Sequence, residues 1–170
     1  MTYTLAGYGQ GSLDGVPFST SSFVFTVTAD SATRQPRSYG WWIPNTSASM
    51  SIAGLGTFDL LSGTGTFVGT NTGVVGFGRR PVGLNLFYGP INPAFLSWDM
   101  LTPIGPVSGH AHFSSWQSSG GSLINTTGGI LLFDDGSTTM TFTAIPEPAT
   151  LSLLALGGLA LIRRQRRQRV

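Results

Sequence analysis

Between Pro17 and Pro36 lies the longest run free of glycine and proline in residues 1 to 145, and its centre reads Phe23-Val24-Phe25-Thr26-Val27-Thr28-Ala29. That one stretch limits the fold more than any other. β-Branched and aromatic residues lose side-chain freedom in a helix and pack well on a pleated surface. Alternation with period two then sends Phe23, Phe25 and Val27 to one face, toward a core. Elsewhere Gly, Pro, Asn and Asp cut the chain every few residues, and no apolar stripe of helical period is sustained.

Further strands follow from the same pattern. Tyr3, Leu5 and Gly7 alternate with Thr4, Ala6 and Tyr8. Tyr39 to Ile43, Ser49 to Ala53, Gly73 to Phe77, Leu84 to Tyr88, Ala94 to Asp99 and Val107 to Phe113 are strand candidates. Gly56-Thr57-Phe58 and Gly65-Thr66-Phe67 echo each other across Leu61-Ser62-Gly63 and predict a hairpin. A second hairpin is predicted where Gly129–Phe133 and Thr138–Ala144 flank Asp134-Asp135-Gly136-Ser137, because Asp-Gly tolerates the positive φ of a tight turn. Met140, Phe142 and Ala144 would point inward. Ser114 to Gly121 reads as a loop around Trp116. Ten to twelve short strands without crossover helices predict an all-β body, an antiparallel β-sandwich or jelly-roll-like domain over residues 1–145.

Composition supports a folded body: 41% of residues are hydrophobic and 11% aromatic. The net charge of +2 conceals an asymmetry. Through Glu147 the chain has four arginines (Arg34, Arg37, Arg79, Arg80), no lysine and seven carboxylates, a net of −3; five more arginines follow in the tail. A body of that sign has no phosphate-neutralising stripe, so no nucleic-acid partner is expected. The absence of cysteine excludes disulfides and thiol chemistry.

The polar residues form no complete reaction site. His110 and His112 are two apart and share a strand face, but no third ligand lies near them in sequence, and no metal or cofactor is expected. Asp134 and Asp135 match a turn better than a calcium loop or a catalytic carboxylate pair. Ser108 lies in no nucleophile motif. Asn45-Thr46-Ser47 and Asn125-Thr126-Thr127 match glycosylation acceptors by spacing alone. Trp41, Trp42, Trp98 and Trp116 are open to two readings: sugar-stacking rings on an open face, or packing residues.

The last 25 residues differ in kind. Pro146-Glu147-Pro148 stops the sheet, since two prolines remove two backbone donors and hold their neighbours extended. Ala149 to Ile162 then offers 14 residues with no charge or proline. As a helix it spans about 21 Å, short of the roughly 30 Å hydrocarbon core. Its leucines surround the axis rather than forming a stripe, which suits lipid better than a protein surface. Arg163, Arg164, Arg166, Arg167 and Arg169 should stay cytoplasmic and leave the body outside.

In order and length these three parts resemble the PEP-CTERM sorting signal of exported bacterial proteins. The resemblance covers residues 146–170. It implies a transient anchor in the bacterial inner membrane and recognition by an exosortase, a membrane-embedded processing enzyme. Cleavage near Pro146-Glu147-Pro148 would follow, then delivery to the cell surface or an exopolysaccharide matrix. The body also weakly resembles the Gly/Thr-rich β-domains that precede such signals. Residues 1–11 lack the basic start and apolar run of a signal peptide, and the expectation is a translation start upstream of Met1. The expected role is that of a non-enzymatic surface or matrix protein; the alternatives are a carbohydrate-binding module or, third, an extracellular hydrolase.

Overall fold

The computed structural model describes residues 1–80, 84–113, 123–134 and 136–146. Thirteen strands run through them: β1 (Thr2–Leu13), β2 (Val16–Thr28), β3 (Gln35–Arg37), β4 (Gly40–Pro44), β5 (Ser47–Ile52), β6 (Gly56–Asp59), β7 (Thr64–Gly69), β8 (Val74–Arg79), β9 (Leu84–Ile91), β10 (Ile104–Phe113), β11 (Ile124–Thr126), β12 (Gly129–Phe133) and β13 (Gly136–Ile145). The only helical pieces among the described residues are 3-10 turns at Ser31–Thr33 and Pro93–Phe95. The body is all-β and its strand pairs are antiparallel, as the alternation predicts.

The layers are not two separate sheets. Hydrogen bonding links the strands into one sheet in the order β3-β4-β7-β8-β9-β10-β13-β1-β2-β5-β6, with β12 also on β1 and β11 on β12. The sheet curls onto itself. Phe25 of β2 meets Phe77 of β8 edge-on with centroids 4.9 Å apart, and Phe23 stacks on Phe87 of β9 at 5.4 Å. Those strands lie four or five places apart in the order, so only a bent sheet brings their rings together. Tyr3, Leu5, Phe23, Phe25, Val27, Met140, Phe142 and Ala144 all face this interior.

Two predicted hairpins are corrected. Gly56-Thr57-Phe58 lies on β6, which pairs with β5, whereas Gly65-Thr66-Phe67 lies on β7, between β4 and β8. The Asp134 region does not return the chain either. Leu131 to Phe133 pair with Leu13 to Gly11, and Thr141 to Ile145 pair with Ala6 to Thr2, along the same side of β1. From Gly11 to Ala6 the β1 strand advances five residues while its partner advances eight, from Phe133 to Thr141. Both segments run antiparallel to β1 and so in the same direction as each other, with a surplus of three residues between the two registers. The Asp-Gly that does make a hairpin is Asp14-Gly15: both have positive φ (48° and 81°), and Leu13 faces Val16 across them.

Ala94 to Asp99 is not a strand. The Asn92 side chain accepts a hydrogen bond from the Ala94 N–H and starts the 3-10 turn, and Asp99 does the same for Leu101. These local bonds compete with a sheet ladder while still burying Phe95 and Trp98.

Candidate functional site

The three described tryptophans have three different fates. Trp98 is 4% exposed and its Nε1–H donates to the Thr102 carbonyl at 2.9 Å. Its ring packs edge-on to Tyr3 and Phe142, so it is a core residue and no sugar platform. Trp41 and Trp42 are neighbours on β4 and therefore point to opposite faces. Trp41 packs against the core. The guanidinium of Arg34 lies 3.8 Å above its ring and pairs with the Asp99 carboxylate at 3.6 Å. Trp116 lies outside the described residues.

Trp42 faces outward. On β7 its register partner is Phe67, and next to that strand β8 supplies Gly76 opposite Phe67 and Gly78 opposite Gly65. Glycines are required here. A Cβ on Gly65 would sit 2.6 Å from the Trp42 Nε1, and one on Gly76 would sit 2.5 Å from the Phe67 ring. The absent side chains leave a floor on which rings can lie flat. Tyr39, at the β3–β4 turn, meets Phe67 edge-on at 6.2 Å, and Phe67 meets Tyr88 of β9 at 6.1 Å.

Two adjoining clefts open over this floor, of ≈ 410 and ≈ 430 Å³. They share Tyr39, Phe67 and Asn85, which makes them one groove across β4, β7, β8 and β9. Its first half is lined by Arg37, Arg79 and Arg80 together with Gln35. Asn71 and Thr72 line the second half. The Arg37 and Arg80 guanidiniums lie 5.4 and 5.1 Å from the centre of the Trp42 ring, within cation–π range. Arg37 Nη2 also donates to Gln35 Oε1 at 2.9 Å, and the Arg80 backbone N–H donates to the Gly63 carbonyl at 2.8 Å. No carboxylate lines either half among the described residues. Burial pushes the Tyr39 hydroxyl pKa up, and Arg37 beside it pulls the other way.

The other candidates stay apart from this groove's lining. His110 and His112 do come together, with Nε2 atoms 3.1 Å apart on the exposed side of β10. Among the described residues no group of three metal-ligating side chains forms. Ser108 Oγ shares a hydrogen bond with Thr141 Oγ1 at 2.8 Å and has no histidine or carboxylate as its partner there. Asn45 is half-buried and holds Thr64 and Thr66 through its amide, so its side chain is engaged in the fold. Asn125, on β11, is exposed.

The groove was not visible in the sequence. Gly78-Arg79-Arg80-Pro81 reads there as turn chemistry, and nothing in the pattern singles out Arg37. The signal that was present is a set of outward glycines at positions 65, 76 and 78, which marks strands whose outer face other groups approach closely.

At the C-terminal end of β13, Ala144 and Ile145 pair with Tyr3 and Thr2, and the chain then leaves the strand at Pro146. Glu147, Pro148, the apolar run and Arg163, Arg164, Arg166, Arg167 and Arg169 lie outside the described residues. The expected tail helix falls there too, and no described helix is long and apolar enough to cross a membrane. The family model for the PEP-CTERM protein-sorting motif matches residues 144–167. That match begins inside β13, so the signal joins an interior strand of the sheet with no intervening linker. No curated protein and no solved structure matches the chain.

Proposed function

From a chain that carries a PEP-CTERM sorting motif, we propose a non-enzymatic protein of the cell surface or the extracellular polysaccharide matrix. The motif marks the chain for export and sorting through its C-terminal signal and links it to an exosortase. In this reading the apolar tail is a brief anchor in the inner membrane, and the exosortase cuts near Pro146-Glu147-Pro148. The observation that carries it is the match at residues 144–167 directly behind a paired strand. Cleavage beyond Pro146 would remove none of the described core, because Ala144 is the last buried residue before the exit. Mass spectrometry of the mature protein from exosortase-positive cells should find the residues after Pro148 missing; a mature chain ending in Arg169-Val170 overturns processing.

The groove favours a second reading, a carbohydrate-binding module. Its aromatic floor, open shape and rim of amides are the features that saccharide sites use. The residues differ from those expected: Trp98 is in the core, and Trp42 works beside Tyr39 and Phe67. A surface protein with no glycan affinity keeps the first reading and removes the second.

A further inference from the structure

We propose that the groove over Trp42 binds an acidic polysaccharide, one whose sugars carry carboxylate or sulfate groups. This rests on the carbohydrate-binding reading and adds to it the charge of the ligand.

The distribution of cations carries the argument. The body has four arginines and no lysine in a chain segment of net charge −3. Two of the four, Arg37 and Arg80, line one half of one groove beside Trp42. Another, Arg34, is held by Asp99 on another face of β4. A solvated surface would scatter these charges or pair them with some of the seven carboxylates. Here no carboxylate lines the groove among the described residues, so an anion from outside is the complementary partner.

Trp42 gives the cations their geometry. Two guanidiniums rest near one indole, which itself lies over Gly65. Cation–π contact limits the freedom of the two long side chains, and apart from the Arg37 Nη2 bond to Gln35 their N–H groups can meet a carboxylate or sulfate. The same contact changes the role expected of this tryptophan. Its ring is occupied by arginine, so it organises the charged half of the groove rather than serving as a bare sugar platform. A single-stranded nucleic acid would need a run of free aromatic faces for its bases, whereas Trp42 carries two guanidiniums, Phe67 is buried and Tyr39 is the exposed ring.

The shape suits a chain that passes across. The charged half continues into one lined by Asn71, Thr72, Asn85 and Tyr88, neutral groups able to meet hydroxyls. Both halves are open to solvent at the surface, which fits a polymer lying along the sheet rather than an enclosed small molecule.

The test is binding of the full-length protein in detergent to immobilised polygalacturonate, a sulfated glycan, neutral dextran and single-stranded DNA, by interferometry over a salt series. The expected result is binding to one or both acidic glycans that weakens as salt rises, with dextran at least about tenfold weaker, a gap of 1.4 kcal/mol. The double variant R37Q/R80Q should lose about tenfold or more on the acidic glycan while its circular dichroism is unchanged. A Gly65→Ala variant, which pushes on the indole, should weaken the same binding. Equal affinity for dextran, unmoved by R37Q/R80Q, would overturn the charge assignment and leave the carbohydrate reading standing. No binding to any glycan overturns both. DNA binding as tight as that of the acidic glycans, with the same arginine dependence, overturns the assignment to a polysaccharide.

Discussion

Neighbouring tryptophans on one strand carry arginines in opposite circumstances. Over Trp41, Arg34 is closed in: it stacks at 3.8 Å, donates to the Asp99 carbonyl and pairs with the Asp99 carboxylate. Behind it stand Tyr3 and Trp98, both buried. Over Trp42, Arg37 and Arg80 stack at greater distance, and no carboxylate lines the cleft among the described residues. Residue type does not separate the two places, since both are arginine on indole. The difference is the presence of an internal anion. Where the fold supplies one, the arginine is paired within the molecule; where it does not, the guanidinium can meet an anion from outside, as proposed for the groove.

The largest expected contrast is in stability. Trp98→Ala removes a buried ring from the closed side and should cost about 3–5 kcal/mol. Trp42→Ala on the open side should cost about 1–2 kcal/mol, because that ring is only half-buried and its neighbours can relax. Urea unfolding followed by tryptophan-independent circular dichroism measures both. Similar losses for the two would mean that Trp42 is packed as deeply as Trp98.

Alkaline unfolding gives the next contrast. The Tyr3 hydroxyl donates to the Met100 carbonyl at 3.3 Å, and its pKa is driven upward by burial; Arg34 opposes that shift and Asp99 adds to it. Folding therefore favours the neutral phenol. The contribution is complete below the unfolded tyrosine pKa of about 10 and fades as pH rises above it, by up to about 1.4 kcal/mol per pH unit. Tyr3→Phe keeps the ring and removes the proton. At neutral pH the variant should be about 1 kcal/mol less stable from the lost hydrogen bond. Above pH 10 its stability should fall less steeply than that of the parent. Parallel curves would show that Tyr3 is not the group that titrates.

A smaller effect separates the arginines themselves. Arg34→Gln should cost about 1 kcal/mol through the lost ion pair and ring contact. Arg80→Gln should stay within about 0.5 kcal/mol of the parent, because it loses only a longer ring contact and no internal anion. If Arg80→Gln cost the more of the two, the open arginine would be structural after all.

The closed side was partly legible in the sequence, and the open side was not. Alternation revealed Phe23, Phe25, Val27, Met140, Phe142 and Ala144, because period two reports the buried face of a strand directly. Turn chemistry was less dependable. The same Asp-Gly dipeptide occurs at 14–15 and at 135–136, yet β1 and β2 run in opposite directions whereas β12 and β13 run the same way along β1. Which strand lies alongside decides this: β1 continues past Gly11 and pairs with both β12 and β13, so its partner has no need to turn back. The groove depends wholly on such distant pairings. Gln35 and Trp42, Phe67, Gly78, and Asn85 come from five strands that meet only because β4 pairs with β7 instead of β5. The sorting motif is the reverse case. It is a linear signal read by another protein, so it needs no tertiary contact to be recognised.

The finest test of the open side uses Tyr39, which shares the groove with Arg37. Burial raises its pKa and the Arg37 charge lowers it, so the two causes oppose each other at one hydroxyl. Arg37→Gln removes only the second, and the Tyr39 pKa should therefore rise further. An ultraviolet titration of phenolate formation, compared with a Tyr39→Phe background to assign the signal, measures it. The shift should be small, since water screens a charge beside a partly exposed ring. It should also shrink as salt is added. On the closed side the logic runs the other way: Arg34 is paired with Asp99, so added salt should leave the high pKa of Tyr3, set first by burial, nearly unmoved. An Arg37 effect on Tyr39 that ignored salt would mean this guanidinium is shielded from solvent, and the distinction between a closed and an open arginine would fail where it is sharpest.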